Sequence, residues 1–147
     1  MIRKERLVQT FCDIAKIDSP SGEEENMAIN ISSRLETLGF ETMRDAYGNL
    51  VASDGRPDPI LLSAHLDTVE PGRGIKPSIE GDRIVSDGTT ILGGDCKAGV
   101  SAILEALESI IEDGVEYHPV ELAFTREEEI GLVGARNLDF NLITAKE

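Results

Sequence analysis

Ile60-Leu61-Leu62-Ser63-Ala64-His65-Leu66-Asp67 opens as an unbroken apolar run and closes on an imidazole and a carboxylate two residues apart. A run without polar alternation suits a central strand covered on both faces. Pro57-Asp58-Pro59 marks the turn that precedes it. In an extended segment residues i and i+2 share a face, so His65 and Asp67 project together, and Asp67 is able to accept the second ring N–H of His65.

On the N-terminal side, Leu7, Phe11, Ile14 and Ala15 recur at helical spacing and predict a first amphipathic helix from about residue 3 to 16. Asp18-Ser19-Pro20-Ser21-Gly22 breaks the pattern. Ser21 followed by Glu24 reads as a capping box for a second helix, whose inner face carries Met27, Ala28, Ile31, Leu35 and Leu38 and which stops near Gly39. The triplet Glu23-Glu24-Glu25 is then explained by the helix dipole. Two short strands around Tyr47-Gly48-Asn49 fill the interval from Phe40 to Ser53.

On the C-terminal side, Ile79 to Val85 reads as a hairpin turning at Gly81-Asp82. The glycine-bracketed loop Gly93-Gly94-Asp95-Cys96-Lys97-Ala98-Gly99 opens the longest helical pattern, which ends at Gly114. A further apolar strand, Val120 to Phe124, runs into Thr125-Arg126-Glu127-Glu128-Glu129-Ile130-Gly131. Helix and strand alternate, which predicts an α/β layered sheet.

His65 with Asp67, Asp95, and the Glu127 to Glu129 run therefore all follow apolar strands, at the sheet edge where ligands of open α/β folds bind. Singly, each has an ordinary explanation: a packed histidine, a helix-capping aspartate, a solvated acidic loop. Together they form an imidazole and carboxylate set of the kind that holds Zn, Co or Mn in hydrolytic sites. Carboxylates crowded at a partly desolvated edge take up a proton unless a cation offsets their repulsion.

Composition narrows the classes. The 147 residues are 40% hydrophobic, enough for one core, and 14 Lys+Arg against 28 Asp+Glu leave a formal charge of -14. That charge argues against nucleic acid and anionic membrane surfaces as partners. The charged start Met1-Ile2-Arg3-Lys4-Glu5-Arg6 has no signal-peptide core, and no apolar run nears the ~18 residues of a membrane span, so a cytoplasmic location is expected. Cys12 and Cys96 stand apart, in no Cys-x-x-Cys spacing.

Ser63-Ala64-His65-Leu66-Asp67-Thr68-Val69, Gly93-Gly94-Asp95-Cys96-Lys97-Ala98-Gly99 and Glu127-Glu128-Glu129-Ile130-Gly131 resemble the three N-terminal signature blocks of the dinuclear zinc exopeptidase family, which includes carboxypeptidase G, aminoacylase, succinyl-diaminopimelate desuccinylase and peptidase T. Ser86-Asp87-Gly88-Thr89-Thr90-Ile91-Leu92-Gly93 further resembles the peptidase T-like tripeptide aminopeptidase branch. The resemblance implies a layered α/β/α sandwich and hydrolysis of small peptides by a metal-activated water. It implies His65 on one metal, Asp95 bridging both, Glu129 on the second, Glu128 as general base and Asp67 orienting His65. Two Zn2+ ions are implied per complete site, with Co2+ or Mn2+ as alternatives, and the peptide bond after Asp95 is expected to be cis. Glu127 is not expected to bind metal.

A complete family member carries a further carboxylate ligand, an inserted lid or dimerisation domain and a C-terminal histidine ligand, none of which matches a position here. His118, beside Pro119, matches no ligand. Residues 1–147 are thus expected to be the N-terminal portion of a metallopeptidase catalytic domain, with weak or no turnover alone and with an exposed strand edge through which it forms a homo-oligomer. Two other functions are compatible with the same residues: N-acyl amino acid deacylation, and a non-catalytic acidic module that binds divalent ions or a partner protein.

Overall fold

A computed structural model describes residues 1–146. The elements are α1 (Lys4–Ala15), α2 (Glu25–Thr37), β1 (Glu41–Arg44), β2 (Leu50–Ser53), β3 (Ile60–His65), β4 (Ser78–Glu80), β5 (Arg83–Val85), α3 (Gly94–Asp113), β6 (Val120–Thr125) and α4 (Val133–Arg136). Each predicted helix and strand is present, with boundaries near those of its apolar pattern.

Four strands form a mixed sheet in the order β1-β2-β6-β3, and β4 and β5 form a separate hairpin. β3 and β6 pair in parallel from Ile60↔Val120 to His65↔Thr125. A parallel pair needs a crossover, and α3 lies on that connection. Alternation then divides the side chains. Leu50, Ala52, Ala64, Leu122 and Phe124 face the helices and pack with Met27, Ile31 and Leu35 of α2 and Val100, Leu104 and Leu107 of α3. The opposite face carries the buried Val51, Ala123 and Glu121. The chain after β6 returns along it, from Gly134 N–H on the Arg126 carbonyl to Thr144 and Ala145 N–H on the Glu121 carboxylate. The layered α/β architecture stands.

One expectation is corrected. β3 is not a central strand: within the described residues it pairs only with β6, and Ile60 and Ser63 are exposed while only its end, Ala64 and His65, is buried. The central place belongs to β6, all of whose residues are buried. An apolar run reports contact with a core but not which neighbours the strand has, so it does not separate an edge strand from an inner one.

Because β3 and β6 are parallel and in register, His65 and Thr125 end side by side. The segments that follow, Leu66-Asp67 and Arg126 to Glu129, leave the same edge of the sheet. His118 precedes β6 and lies at the other end, where the Pro119 carbonyl accepts from Ile60 N–H.

Candidate metal centre

Asp67 is the hub of this edge. It is fully buried, and its carboxylate accepts from Ser21 Oγ at 2.6 Å, Glu128 N–H at 2.9 Å and Glu129 N–H at 3.1 Å. Its Oδ1 also lies 3.3 Å from Nδ1 of His65, and its carbonyl lies 3.0 Å from the same nitrogen. One carboxylate therefore orients the imidazole and fixes the backbone that carries two of the glutamates.

With Nδ1 so engaged, Nε2 of His65 faces outward, 3.0 Å from Asp95 Oδ1 and 3.9 Å from Glu128 Oε2. Asp95 reaches it because the first residues of α3 are not helical. Gly93 is left-handed (φ 73°), Asp95 is extended (φ -88°, ψ 112°), and the Asp95-Cys96 peptide bond is cis, as expected. The Asp95 side chain is 85% exposed and stands clear of the helix. Donor atoms of His65, Glu128 and Glu129 lie within 4.8 Å of one another, and so do those of His65, Asp95 and Cys96. All five residues singled out by sequence, His65, Asp67, Asp95, Glu128 and Glu129, thus meet at one strand edge, and Cys96 joins them.

The three glutamates are not equivalent. Glu127 adopts a left-handed backbone (φ 52°), and its carboxylate turns away to accept from the Tyr47 hydroxyl. That kink sends Glu128 and Glu129 toward His65. A second left-handed residue, Leu132 (φ 58°), closes the turn, with its N–H on the Glu128 carbonyl at 2.8 Å.

Electrostatics follow from this crowding. Burial works against a charged imidazole, but the Asp67 and Asp95 carboxylates outweigh it and raise the His65 pKa to about 9. Burial raises the Glu129 carboxyl, and repulsion from Asp95 and Glu128 adds to it against the opposing pull of His65. Burial also opposes the charge of Asp67, yet hydrogen bonds from His65, Ser21 and the Glu128 and Glu129 amides hold it well below the usual carboxylate range. A proton on His65 is thus the positive charge this cluster draws to itself, and a divalent cation would serve the same need more fully. Oxygen and imidazole donors with this separation fit such an ion.

Two contributors, Ser21 and Glu24, and a buried lysine near Asp95 in the chain carry no signal in the local sequence. Ser21 does not cap α2; its hydroxyl serves Asp67. Glu24 occupies the N-cap position of α2 without capping it, and is buried against the loop after β6. Lys97 is buried, with Nζ donating to the Ile17 carbonyl at 2.7 Å, and burial lowers its pKa to about 8. A serine three residues before a glutamate at a helix start reads as a cap unless the long-range partners, Asp67 and Arg126, are known. Local sequence carries no signal for them.

Comparison with known proteins gives the family and the fold. Residues 61–140 match the model of peptidase family M20/M25/M40. The uncharacterized protein YqjE of Bacillus subtilis is 35% identical over 99% of this chain and 42% of its own length. Among solved structures, a tripeptidase from Staphylococcus aureus superposes with a TM-score of 0.94 at 35% identity, covering 99% of this chain and 42% of its own. Aminopeptidase PepT from Bacillus cereus gives 0.93 at 40% identity, again over 99% and 42%. The chain therefore spans less than half the length of these relatives. With the family model matching from within β3 to Phe140, across every residue of the cluster, the chain belongs to peptidase family M20/M25/M40.

Proposed function

We propose that this chain provides the metal-binding and proton-transferring edge of a peptidase acting on small peptides, with tripeptides from the amino end as the preferred class. His65, Asp95 and Glu129 would hold zinc, or Co2+ or Mn2+ in its place. The observation that carries the reading is the convergence on His65 Nε2 of Asp95 at 3.0 Å and Glu128 at 3.9 Å, with Glu129 grouped with His65 and Glu128.

When bound, the metal supplies an acidified water and a polarised scissile carbonyl. Glu128 is half-buried at the mouth of the cluster and bears no hydrogen bond to its carboxylate within the described residues, which leaves a lone pair free to take a proton and return it to the leaving amine. Asp67 holds the His65 ring so that Nε2 faces the ligand position. Glu127, tied to Tyr47, takes no part in proton transfer.

The test is zinc binding and tripeptide hydrolysis by the wild-type chain, His65→Ala and Glu128→Ala. His65→Ala is expected to lose zinc affinity by about 100-fold or more. Glu128→Ala is expected to retain zinc and to abolish whatever turnover the wild type shows. Equal zinc binding by wild type and His65→Ala would refute the assignment.

A further inference from the structure

We propose that Glu24, paired with Arg126, is a positioning residue for the Glu127 to Glu129 loop. The inference rests on the metal-site reading above for its functional meaning, and on geometry alone for the positioning itself.

Glu24 is 0% exposed and sits at the N-cap position of α2, yet it makes no side-chain cap to that helix. Its carboxylate turns instead to a segment about a hundred residues further along the chain. Oε2 accepts from Arg126 Nε at 2.8 Å, and Oε1 accepts from Glu127 N–H at 3.0 Å and from Gly22 N–H at 2.8 Å. The remaining guanidinium nitrogens of Arg126 donate to the carbonyls of Tyr47 at 3.2 Å and Gly22 at 3.0 Å. A helix-dipole contact would be exposed, local and worth little when screened. This carboxylate is buried and spends two of its three bonds at long range, so removing it would leave Arg126 and the N–H groups of Glu127 and Gly22 without their partner.

What the pair holds is the left-handed turn at Glu127. A non-glycine residue there persists only where its surroundings over-determine it. Glu24 takes the Glu127 N–H, and Asp67 takes the next two, from Glu128 and Glu129. Consecutive amides are thus gripped by two buried carboxylates, one from the loop before α2 and one from the loop after β3. Ser21 links those loops through its bond to Asp67. Without Glu24 the first of the three amide anchors is gone, and Asp67 is the one side chain left accepting from the amides of Glu127 to Glu129 among the described residues.

The experiment compares Glu24→Gln with Glu105→Gln in the whole chain. Glu105 forms an equally buried ion pair, 2.6 Å from Arg6, between α3 and α1 and away from the cluster. It reports what loss of a buried pair does by itself. Amide hydrogen exchange in the metal-free protein and Zn2+ affinity by chelator competition are the readouts.

In Glu24→Gln the amides of Glu127, Glu128 and Glu129 should exchange at least about tenfold faster than in Glu105→Gln, with β6 amides alike in the two. Zn2+ affinity should fall about tenfold in Glu24→Gln and stay at the wild-type value in Glu105→Gln. Arg126→Gln breaks the same pair from the other side and replaces Glu24→Gln if that variant does not fold. Uniform exchange changes in both variants would overturn the positioning role. Faster loop exchange in a chain whose wild type takes up no zinc would uphold the positioning of the loop and sink the metal-site reading instead.

Discussion

At the residue scale, Asp67 shows how one buried carboxylate serves two ends. It orients His65 and grips the amides of Glu128 and Glu129, so the imidazole and the glutamates are held relative to each other through a single group. Asp67→Asn replaces one acceptor oxygen with a donor and opposes a Ser21 hydroxyl, an imidazole N–H or a backbone N–H. A loss of about 1–3 kcal/mol in stability is expected from the unpaired buried groups, measured by urea denaturation. Zinc affinity should fall about 10–100-fold with it. His65 and Asp67 were legible as a pair from their i, i+2 spacing at a strand end. The division of Glu127 from Glu128 and Glu129 came from the family resemblance, since nothing in a run of three glutamates reveals a left-handed turn at the first.

At the scale of elements, the site depends on β6 and on how closely the chain returns to it. A Cβ built on Gly134 would lie 2.2 Å from the Arg126 carbonyl oxygen and 2.6 Å from Asn49 Oδ1. No side chain fits there without moving the backbone that leads into the glutamate loop. Gly134→Ala is therefore expected to lower stability by about 1–3 kcal/mol, read from the denaturation midpoint, and to weaken zinc binding. Leu122 is fully buried in the middle of β6. Leu122→Ala should cost roughly 2–5 kcal/mol by leaving a cavity, with little change in zinc affinity per folded molecule. The helices and strands were readable because their apolar residues repeat at the right periods. The place of β3 at the sheet edge was not, because strand order is decided by contacts between distant segments. The same holds for Ser21 and Glu24, whose partners lie 46 and 102 residues away.

At the scale of the molecule, a formal charge of -14 is managed by ion pairs that tie the termini of elements together. Arg6 meets Glu105, Glu108 and Glu112 and so fastens α1 along α3. The Arg6 guanidinium holds the Glu105 carboxyl down to about 2, against the opposing effect of burial. A depressed folded-state pKa stabilises the fold above the unfolded value of 4.5 and loses that contribution as pH falls toward about 2. The stability gap between wild type and Glu105→Gln should therefore be about 2–3 kcal/mol at neutral pH and shrink steadily below pH 4.5, as thermal melts at a series of pH values would show. No helix among the described residues is long and apolar enough to cross a membrane. The central claim concerns one place on this acidic molecule, where Asp95 on one side and Glu128 and Glu129 on the other come to His65. X-ray absorption at the zinc edge of the loaded wild-type chain tests it most directly. The account predicts one imidazole and several oxygens at about 2.0–2.2 Å, with the imidazole signal absent from His65→Ala. A sulfur at about 2.3 Å from Cys96, or an imidazole signal that survives His65→Ala, would contradict it.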